Sequence, residues 1–362
     1  MITWSLCMIV KNEEAVLERC LKSTGDLFDE IIIIDTGSAD GTKRSAQKFT
    51  GHIYDYEWND DFSAARNFAF SKATGDYIMW LDADDIIPPG SLHILRDLKS
   101  QPMKSDVYML PYHTAFDETG TPLFYFYRER IIRNCKLCFW RGRVHEVIEP
   151  FGIVTKIDAP IEHRKLGHGD PGRNLRIYEN MLRAGCRLSV RDMYYYGREL
   201  YYHKRCAEAE KIFEDFLKTK DGWIENKLDA AQLLAFCRYM QGDDEGALYA
   251  LLQGLTLGAP RAELCCALGR HYFDREQFKT AAFWYKAALC TEKCTDGGFV
   301  SGDCYGFLPC IMLCQCFWKL GDIPAAYSYN ELAGSYKPQS SYYLHNKDFF
   351  SCIAQDLIQD KE

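Results

Sequence analysis

The sequence of 362 residues has no apolar run of 18 residues, so it predicts no membrane-spanning helix. Its start, Met1-Ile2-Thr3-Trp4, lacks the basic region and the cleavage site of a secretory signal, and we expect a cytoplasmic protein. The net charge of -8 is unsuited to binding nucleic acid through general attraction to phosphates. With 47% hydrophobic and 14% aromatic residues, the sequence predicts a packed globular protein long enough for two domains.

The 16 cysteines lack the spacing of a zinc or disulfide framework. Cys135 and Cys138 form a lone CxxC pair, and no second pair follows at zinc-finger distance. Other cysteines lie in apolar contexts with helical spacing, among them Cys265, Cys266, Cys314 and Cys316. We therefore predict buried free thiols in a reducing compartment.

The first half of the chain alternates strand and helix patterns. Helical spacing recurs between the first two strands, where Leu17 and Leu21 belong to one apolar face. Such an alternation predicts a doubly wound α/β sheet, in which ligands bind beyond the carboxyl ends of the strands. The predicted strands are Ser5–Val10, Ile31–Ile34, Ile53–Tyr56 and Tyr77–Leu81.

The second half has helical patterns only. A segment rich in glycine and proline, 167–172, predicts a linker, which divides the chain into domains 1–170 and 171–362. Beyond it, alanines recur near the 34-residue period of tetratricopeptide (TPR) repeats, each with a large apolar residue four positions later. Such repeats form a concave surface for an extended partner, whereas a plain helical domain would only bury its own apolar faces. The alanines are Ala209, Ala247, Ala281 and Ala325.

The segment Met79–Asp85 reads as a buried strand that ends in two carboxylates one residue apart. On extended backbone, side chains two positions apart point the same way, so we predict that Asp82 and Asp84 converge on one divalent cation. A cation there would offset the charge of a diphosphate leaving group, as activation of a sugar nucleotide requires. The ordinary alternative is a strand followed by an acidic turn.

Three further positions in the first half suit a nucleoside diphosphate. Glu13 lies in the turn after the first strand, where it can accept a hydrogen bond from a base or ribose. Asp35 closes the second strand, where its carboxylate can accept from the uracil N–H. Arg66 offers a guanidinium fork that matches diphosphate oxygens. A helix cap or loop charge is the alternative for the two carboxylates, and a salt bridge to a local aspartate is the alternative for Arg66.

The segment Trp140–Glu146 ends in two titratable residues. A glycosyl transfer that inverts the anomeric centre needs a base beside the acceptor, and we assign Glu146 to this role, with His145 orienting the acceptor. His163 follows another apolar stretch, and imidazole is a common ligand of Mn²⁺-type sites. The alternative for His145 and Glu146 is an ordinary pair of surface loop residues. The alternative for His163 is a histidine with a structural role.

Taken together and in order, these motifs resemble family-2 glycosyltransferases of GT-A fold. The segments that carry the resemblance are Leu6–Glu14, Ile31–Thr42, Phe62–Asn67 and Leu81–Asp85. A narrower similarity, to the sublancin-type peptide S-glycosyltransferases and their TPR-bearing relatives, depends on Gly142–Glu146, His163 and Tyr196–Leu200. The chain departs from that narrower pattern at Arg164–Leu166, after His163, and in the Asp-Thr-Gly-Ser loop that begins at Asp35.

The resemblance implies an inverting enzyme that uses a UDP-sugar and Mn²⁺ or Mg²⁺, and relatives suggest a homodimer through the helical half. Glu146 falls at the position of the base, and Asp82 at that of a ribose- or water-linked carboxylate. Asp84 would bind the metal directly, with His163 as a second ligand, and Arg66 falls on the diphosphate side. The residues that would hold the nucleoside are Val10, Lys11, Glu13 and Asp35.

We therefore expect transfer of a hexose or N-acetylhexosamine from a UDP-sugar to a Cys, Ser or Thr side chain of a peptide or protein, held partly by the helical domain. One alternative acceptor is a glycan or lipid-linked saccharide, although no membrane span or basic amphipathic stretch supports it. An alternative of another class is a TPR adaptor that binds nucleotide without catalysis. A nucleotidyltransferase would need a basic, glycine-rich first loop, and Val10–Glu13 stands there instead.

Overall fold

A computed structural model of the chain describes residues 2–116, 120, 122–166, 170–293 and 300–359. The chain divides into two compact units, Met1–Leu188 and Ser189–Glu362. This division falls after the first helix that follows the predicted linker, so that helix belongs to the first unit rather than to the second. Residues 167–169 of the linker lie outside the described residues.

The first unit combines eleven described strands with five described helices. The strands are β1 (Trp4–Val10), β2 (Glu30–Asp35), β3 (His52–Asp55), β4 (Tyr77–Trp80), β5 (Asp85–Ile86), β6 (Val107–Phe116), β7 (Pro122–Arg133), β8 (Trp140–Arg141), β9 (Val147–Ile148), β10 (Val154–Lys156) and β11 (Ile161–His163). The helices are α1 (Leu17–Ser23), α2 (Thr42–Ala46), α3 (Phe62–Phe70), α4 (Pro89–Ser100) and α5 (Arg173–Arg183).

Nine of these strands form one mixed sheet. Its order is β3-β2-β1-β4-β7-β6-β11-β5, and β10 also pairs with β6. The first four strands are parallel neighbours, as the alternation of strands and helices predicted. Strand β7 then pairs antiparallel with both β4 and β6, an extension of the sheet that the sequence reading did not include. Strands β8 and β9 form a separate two-stranded sheet.

The apolar strands are buried on both faces of this sheet. In β2, Ile33 packs in one hydrophobic cluster with Leu6 and Met8, while Ile32 and Ile34 pack in the cluster on the other face. This confirms the prediction of strands covered on both sides, for which parallel sheets select β-branched residues. Since parallel strands end at the same edge, the polar residues that follow β1, β2 and β4 are brought together there.

The second unit is helical in all its described elements. Consecutive helices pair across short turns: α6 with α7, α8 with α9, α10 with α11, and α12 with α13. This confirms the predicted all-α second half with TPR-like helix pairs. The bounds are α6 (Val190–Tyr202), α7 (Cys206–Lys218), α8 (Ile224–Met240), α9 (Asp244–Leu255), α10 (Ala262–Phe273), α11 (Phe278–Leu289), a 3₁₀ helix (Gly302–Tyr305), α12 (Phe307–Lys319), α13 (Ile323–Tyr336) and α14 (Ser341–Gln359).

The predicted alanine anchors occupy equivalent places in three of the helix pairs. Ala209, Ala247 and Ala281 are fully buried, where a small side chain lets neighbouring helices approach closely. In the fourth pair the prediction was wrong by one position, since Ala325 is only half-buried and Ala326 is fully buried. The start of α13, where the side chain of Asp322 accepts from the backbone N–H of residue 325, turns the next position into the core.

The cysteines behave as predicted. The fifteen cysteines within the described residues are free thiols, and Cys265, Cys266, Cys314 and Cys316 are buried in the helical unit. Burial also raises the pKa of the Cys138 thiol to about 12, which leaves it protonated and unreactive at neutral pH.

Across the described part of the chain, no helix is both long and apolar enough to cross a bilayer.

Candidate active site

A cleft of about 780 Å³ opens in the first unit at the carboxyl ends of β1 and β4. Its lining residues come from several strand ends, the loop between β8 and β9, and the start of α5. Nine of the ten site residues predicted from the sequence line it: Val10, Lys11, Glu13, Arg66, Asp82, Asp84, His145, Glu146 and His163.

Asp35 is the predicted residue that does not line the cleft, although the neighbouring Thr36 does. Its Oδ1 accepts hydrogen bonds from the backbone N–H groups of Gly37 (2.9 Å) and Ser38 (2.8 Å), which fixes the turn after β2. Its Oδ2 is buried and has no partner among the described residues. A buried carboxylate oxygen without a donor is costly, and an N–H of a bound nucleobase is a donor that would satisfy it.

The acidic segment after β4 is a turn, and here the predicted geometry was wrong. The extended backbone ends before Asp82, and the N–H of Asp85 donates to the carbonyl of Asp82 at 3.1 Å. Asp82 pairs with Arg66 at 2.7 Å, while Oδ1 of Asp84 lies 3.3 Å from Nδ1 of His163. The two carboxylates both line the cleft and have different protein partners.

Asp85, which the sequence analysis did not single out, stabilises this turn. It is fully buried, and its Oδ2 accepts hydrogen bonds from the Arg130 guanidinium and from the N–H of Asp82, both at 3.0 Å. Its Oδ1 accepts from the hydroxyl of Tyr112 at 2.8 Å and lies 3.3 Å from Nδ1 of His163. The carboxylate thus ties together β5, β6, β7 and β11.

We expect Asp85→Asn to lower the free energy of unfolding by about 3–5 kcal/mol, because it leaves the fully buried guanidinium of Arg130 without a counter-charge. Urea unfolding followed by circular dichroism measures this change. Asp26→Asn is the matched control, since Asp26 pairs with Arg96 on the surface and its loss should cost less than about 1 kcal/mol. Equal effects of the two substitutions would contradict the assigned role of Asp85.

Asp84, Asp85 and His163 bring ligand atoms within 4.8 Å of one another. Both oxygens of Asp85 already have protein partners, and Asp85 does not line the cleft, so Asp84 and His163 are the two groups that face it. A carboxylate with an imidazole is a donor set that suits Mn²⁺. Burial would lower the pKa of His163, but hydrogen bonds to Asp84 and Asp85 raise it to about 10, so the site already favours a positive charge.

Arg66 lines the cleft and is 7% exposed. Its Nε donates to Oε1 of Glu146 at 2.6 Å, and its Nη2 donates to Oδ1 of Asp82 at 2.7 Å. The guanidinium carbon lies 4.9 Å from the ring centroid of Trp80 and 4.8 Å from that of Trp140. Two carboxylates and two indoles therefore hold this side chain.

The ion pair of Arg66 differs from the alternative considered from the sequence. Its aspartate partner is Asp82, sixteen residues away, whereas the nearby Asp61 accepts from the N–H of Ala64 and caps α3. Burial would raise the pKa of Asp82, but the charges of Arg66 and Arg130 hold it well below its usual value. Asp82 is therefore ionised at neutral pH.

The loop between β8 and β9 carries Glu146 and His145, and α3 holds it in place. Asn67 donates to the carbonyl of Trp140 at 3.0 Å and accepts from its N–H at 2.7 Å, as a neighbouring strand would. The N–H of Phe62 donates to the carbonyl of residue 143 at 2.9 Å. His145 has a φ of 53°, a left-handed conformation that turns the loop back. No described side chain pairs with Oε2 of Glu146.

Several lining residues were missed in the sequence. Arg128, Lys165 and Arg173 add positive charge to the cleft, and Trp58 and Phe62 form an aromatic wall with ring centroids 4.7 Å apart. Lys165 lies two positions after His163, so its closeness in sequence was a usable signal. Arg128 lies in β7 and Arg173 lies in α5. No local pattern in the sequence predicts that these two elements lie beside the cleft.

Glu13 lies among negative charges in this cleft. Burial, followed by the charges of Asp84, Asp82 and Asp40, raises its pKa to about 7, and the charge of Lys165 opposes the shift. The folded protein therefore holds a proton on Glu13 over a pH range in which the unfolded chain has lost it. A cation bound beside Asp84 would offset the same repulsion.

We expect the stability of the metal-free protein, relative to that of Glu13→Gln, to fall as the pH rises from about 4.5 to about 7. Below that window Glu13 is protonated in both states, and above it the folded state bears an unfavourable charge. Unfolding curves of both proteins across this range measure the difference. Glu57→Gln, at an exposed site, is the matched control. A constant difference for Glu13→Gln would contradict the raised pKa.

Comparisons with known proteins match the part of the chain that contains most of this site. Residues 5–149 match the model of glycosyl transferase family 2. A TPR repeat-containing protein of Synechococcus elongatus is 30% identical over 292 residues, which cover 79% of this chain and 65% of that protein. The SPbeta prophage-derived glycosyltransferase SunS of Bacillus subtilis is 28% identical over 236 residues, which cover 59% of this chain and 54% of SunS. The chain thus spans between about half and about two thirds of these relatives.

Solved structures resemble parts of the chain more distantly. Glucosyl-3-phosphoglycerate synthase from Mycobacterium tuberculosis, in complex with Mg²⁺ and UDP, has a TM-score of 0.35 at 17% identity and covers 52% of this chain and 81% of its own. The MamA protein has a TM-score of 0.38 at 16% identity and covers 48% and 87%. At these scores we carry nothing over from either protein. The family match covers β1–β4 and the β8–β9 loop but not β11, so the first unit is similar to glycosyl transferase family 2 over residues 5–149, and a TPR-like helical unit forms the second.

Proposed function

We propose that the chain is an inverting glycosyltransferase that moves a sugar from a UDP-sugar to a side chain of a peptide or protein. One observation carries the proposal: a candidate cation pair, Asp84 with His163, and a candidate base, Glu146, line the same cleft at the strand ends of a family-2 domain. A binding module without catalysis would need no base. The transferred sugar, a hexose or an N-acetylhexosamine, is set by the shape of the pocket.

In this reaction the acceptor Sγ or Oγ attacks the anomeric carbon while the bond from that carbon to the diphosphate oxygen breaks. The electron pair of that bond leaves with UDP, and Oε2 of Glu146 takes the acceptor proton. Because attack and departure occur on opposite faces of the sugar, the anomeric configuration inverts.

Asp84 and His163 would hold Mn²⁺ or Mg²⁺, which when bound supplies charge neutralisation to the departing diphosphate. Arg128, Lys165 and Arg173 line the same cleft and add positive charge that attracts an anionic donor. On the nucleoside side we assign the turn Val10–Glu13, which lines the cleft. We retain Asp35 as the acceptor for a nucleobase N–H, which requires the turn after β2 to move, because Oδ2 of Asp35 is buried.

The helical unit is proposed to hold the acceptor. Stacked helix pairs present an extended concave surface, and an extended peptide matches such a surface better than a compact substrate does. The similarity to a TPR repeat-containing protein and to the glycosyltransferase SunS supports these separate roles for the two units.

We place the reaction in the cytoplasm, where free thiols persist. We also retain the predicted homodimer as part of the proposal.

Turnover by the purified protein tests the proposal. UDP-glucose and UDP-N-acetylglucosamine are offered with Mn²⁺ and a mixture of peptides that contain Cys, Ser or Thr, and the products are read by mass spectrometry. We expect release of UDP together with a peptide whose mass increases by one sugar. Release of UDP with every peptide mass unchanged would favour a glycan or lipid-linked acceptor. Binding of UDP with neither hydrolysis nor transfer would favour the adaptor.

A further inference from the structure

The guanidinium of Arg66 uses two of its five N–H donors on protein carboxylates. Nε donates to Glu146 and Nη2 to Asp82, at 2.6 and 2.7 Å, and the side chain is 7% exposed. The indoles of Trp80 and Trp140 lie within 5 Å of its central carbon. The N–H donors that a diphosphate would need are thereby reduced to those of Nη1 and one of Nη2, because Nε and the other N–H of Nη2 already bind carboxylates.

The partners of Arg66 belong to opposite ends of the proposed reaction. Glu146 lies in the loop between β8 and β9 and is the proposed base, whereas Asp82 lies in the turn after β4 that also carries Asp84. Arg66 itself comes from α3, the helix that contacts β8 through Asn67 and the β8–β9 loop through Phe62. The guanidinium therefore joins the acceptor side of the cleft to the donor side.

Guanidinium geometry makes this link rigid. The group is planar, its N–H directions are fixed, and a paired carboxylate cannot swing without losing its hydrogen bond. Contact of the guanidinium with the rings of Trp80 and Trp140 also restrains its movement. With Oε1 of Glu146 held in this way, Oε2 stays at one place in the cleft. Such placement matters, because a displacement of about 1 Å at a reacting group costs roughly 10²-fold in rate.

We propose, on the basis of the proposed function, that Arg66 is a positioning residue, which sets Glu146 against the turn that carries the cation ligand and does not itself bind the diphosphate. This assignment replaces the diphosphate role predicted for Arg66 from the sequence. The two roles differ in a measurable way. A diphosphate ligand contributes to affinity for UDP, whereas a positioning residue contributes to kcat and acts only through Glu146.

The test compares Arg66→Lys, which keeps the charge but loses the planar fork, with the wild type. We expect kcat to fall by about 10²-fold, while the KM for the UDP-sugar and the Kd for UDP change less than about threefold. In the background of Glu146→Gln, Arg66→Lys should cause little further loss, because the residue it positions is gone. Arg96→Lys, on the surface pair with Asp26, should leave all three constants unchanged.

Two results would overturn the positioning role: a tenfold or larger rise in the Kd for UDP with kcat preserved, or losses in kcat that add fully in the double variant. If Arg66→Lys does not fold, the NMR signal of the Arg66 Nε–H is compared between wild type and Glu146→Gln. A slowly exchanging signal that shifts or is lost in Glu146→Gln supports the contact, and an unchanged signal contradicts it. The NMR signal can be measured without turnover. A wild-type protein that shows no glycosyltransferase activity but keeps the contact between Arg66 and Glu146 would therefore count against the proposed function alone.

Discussion

Replacing Glu146 with Gln is expected to lower kcat by about 10³-fold, within the range of roughly 10²–10⁴ for loss of a general base. The amide keeps the size of the side chain and can still accept from Nε of Arg66, but it cannot take the acceptor proton. The KM for the donor should change little, because Glu146 lies on the acceptor side of the cleft. Initial rates with saturating UDP-sugar and peptide give both constants.

The matched control for this substitution is Glu149→Gln. Glu149 lies three positions later, is exposed, and is 3.5 Å from Arg141 at the surface. Its replacement should leave kcat within about twofold of the wild type, as surface substitutions generally do. A Glu146→Gln enzyme that keeps more than a tenth of the wild-type kcat would remove Glu146 from the role of base.

Replacing Asp84 with Ala is expected to abolish activation by Mn²⁺ and to lower turnover by at least about 10²-fold, since a bound metal contributes several kcal/mol of charge stabilisation to the departing group. The carboxylate is one of two candidate ligands that face the cleft, so affinity for Mn²⁺ itself should fall. Calorimetric titration with Mn²⁺ in the presence of UDP measures that affinity without any reaction. Activity is measured in parallel across the same metal concentrations.

Asp97→Ala provides the control, because this aspartate is exposed on α4 and does not line the cleft. Its affinity for Mn²⁺ and its activity should equal those of the wild type. Equal activity of Asp84→Ala and the wild type at every metal concentration would exclude Asp84 from the mechanism. A fall in stability alone, without a change in metal affinity, would reduce Asp84 to a structural partner of His163.

The parallel part of the sheet could be predicted from the sequence because its strands are short, apolar and bounded by turn formers. The antiparallel pair β6–β7 could not, since in β7 a run of aromatic residues is followed by charged residues whose burial depends on distant partners. Arg130 illustrates the difficulty. A fully buried arginine within a strand becomes understandable only when Asp85, 45 positions away, is seen to accept from it.

Most of the candidate site was predictable for a related reason: parallel strands end at one edge, and the polar residues after them meet there. The failures are local. Asp82 and Asp84 were read as extended, although a turn follows β4, and the overlooked Asp85 supplies the contacts that hold this turn. The contact between Arg66 and Glu146 could not be predicted, because the two residues are 80 positions apart. Glu146 lies between the two strands of a small sheet, and no periodicity in the sequence predicts that sheet.

A crystal structure of the protein with UDP and Mn²⁺, with anomalous scattering used to locate the metal, tests the central claim most directly. We predict one manganese peak within coordination distance of Asp84 and His163, next to the diphosphate, with Oε2 of Glu146 facing the place of the sugar. A manganese ion and a diphosphate bound elsewhere, with Asp84 and His163 paired only to each other, would contradict the account.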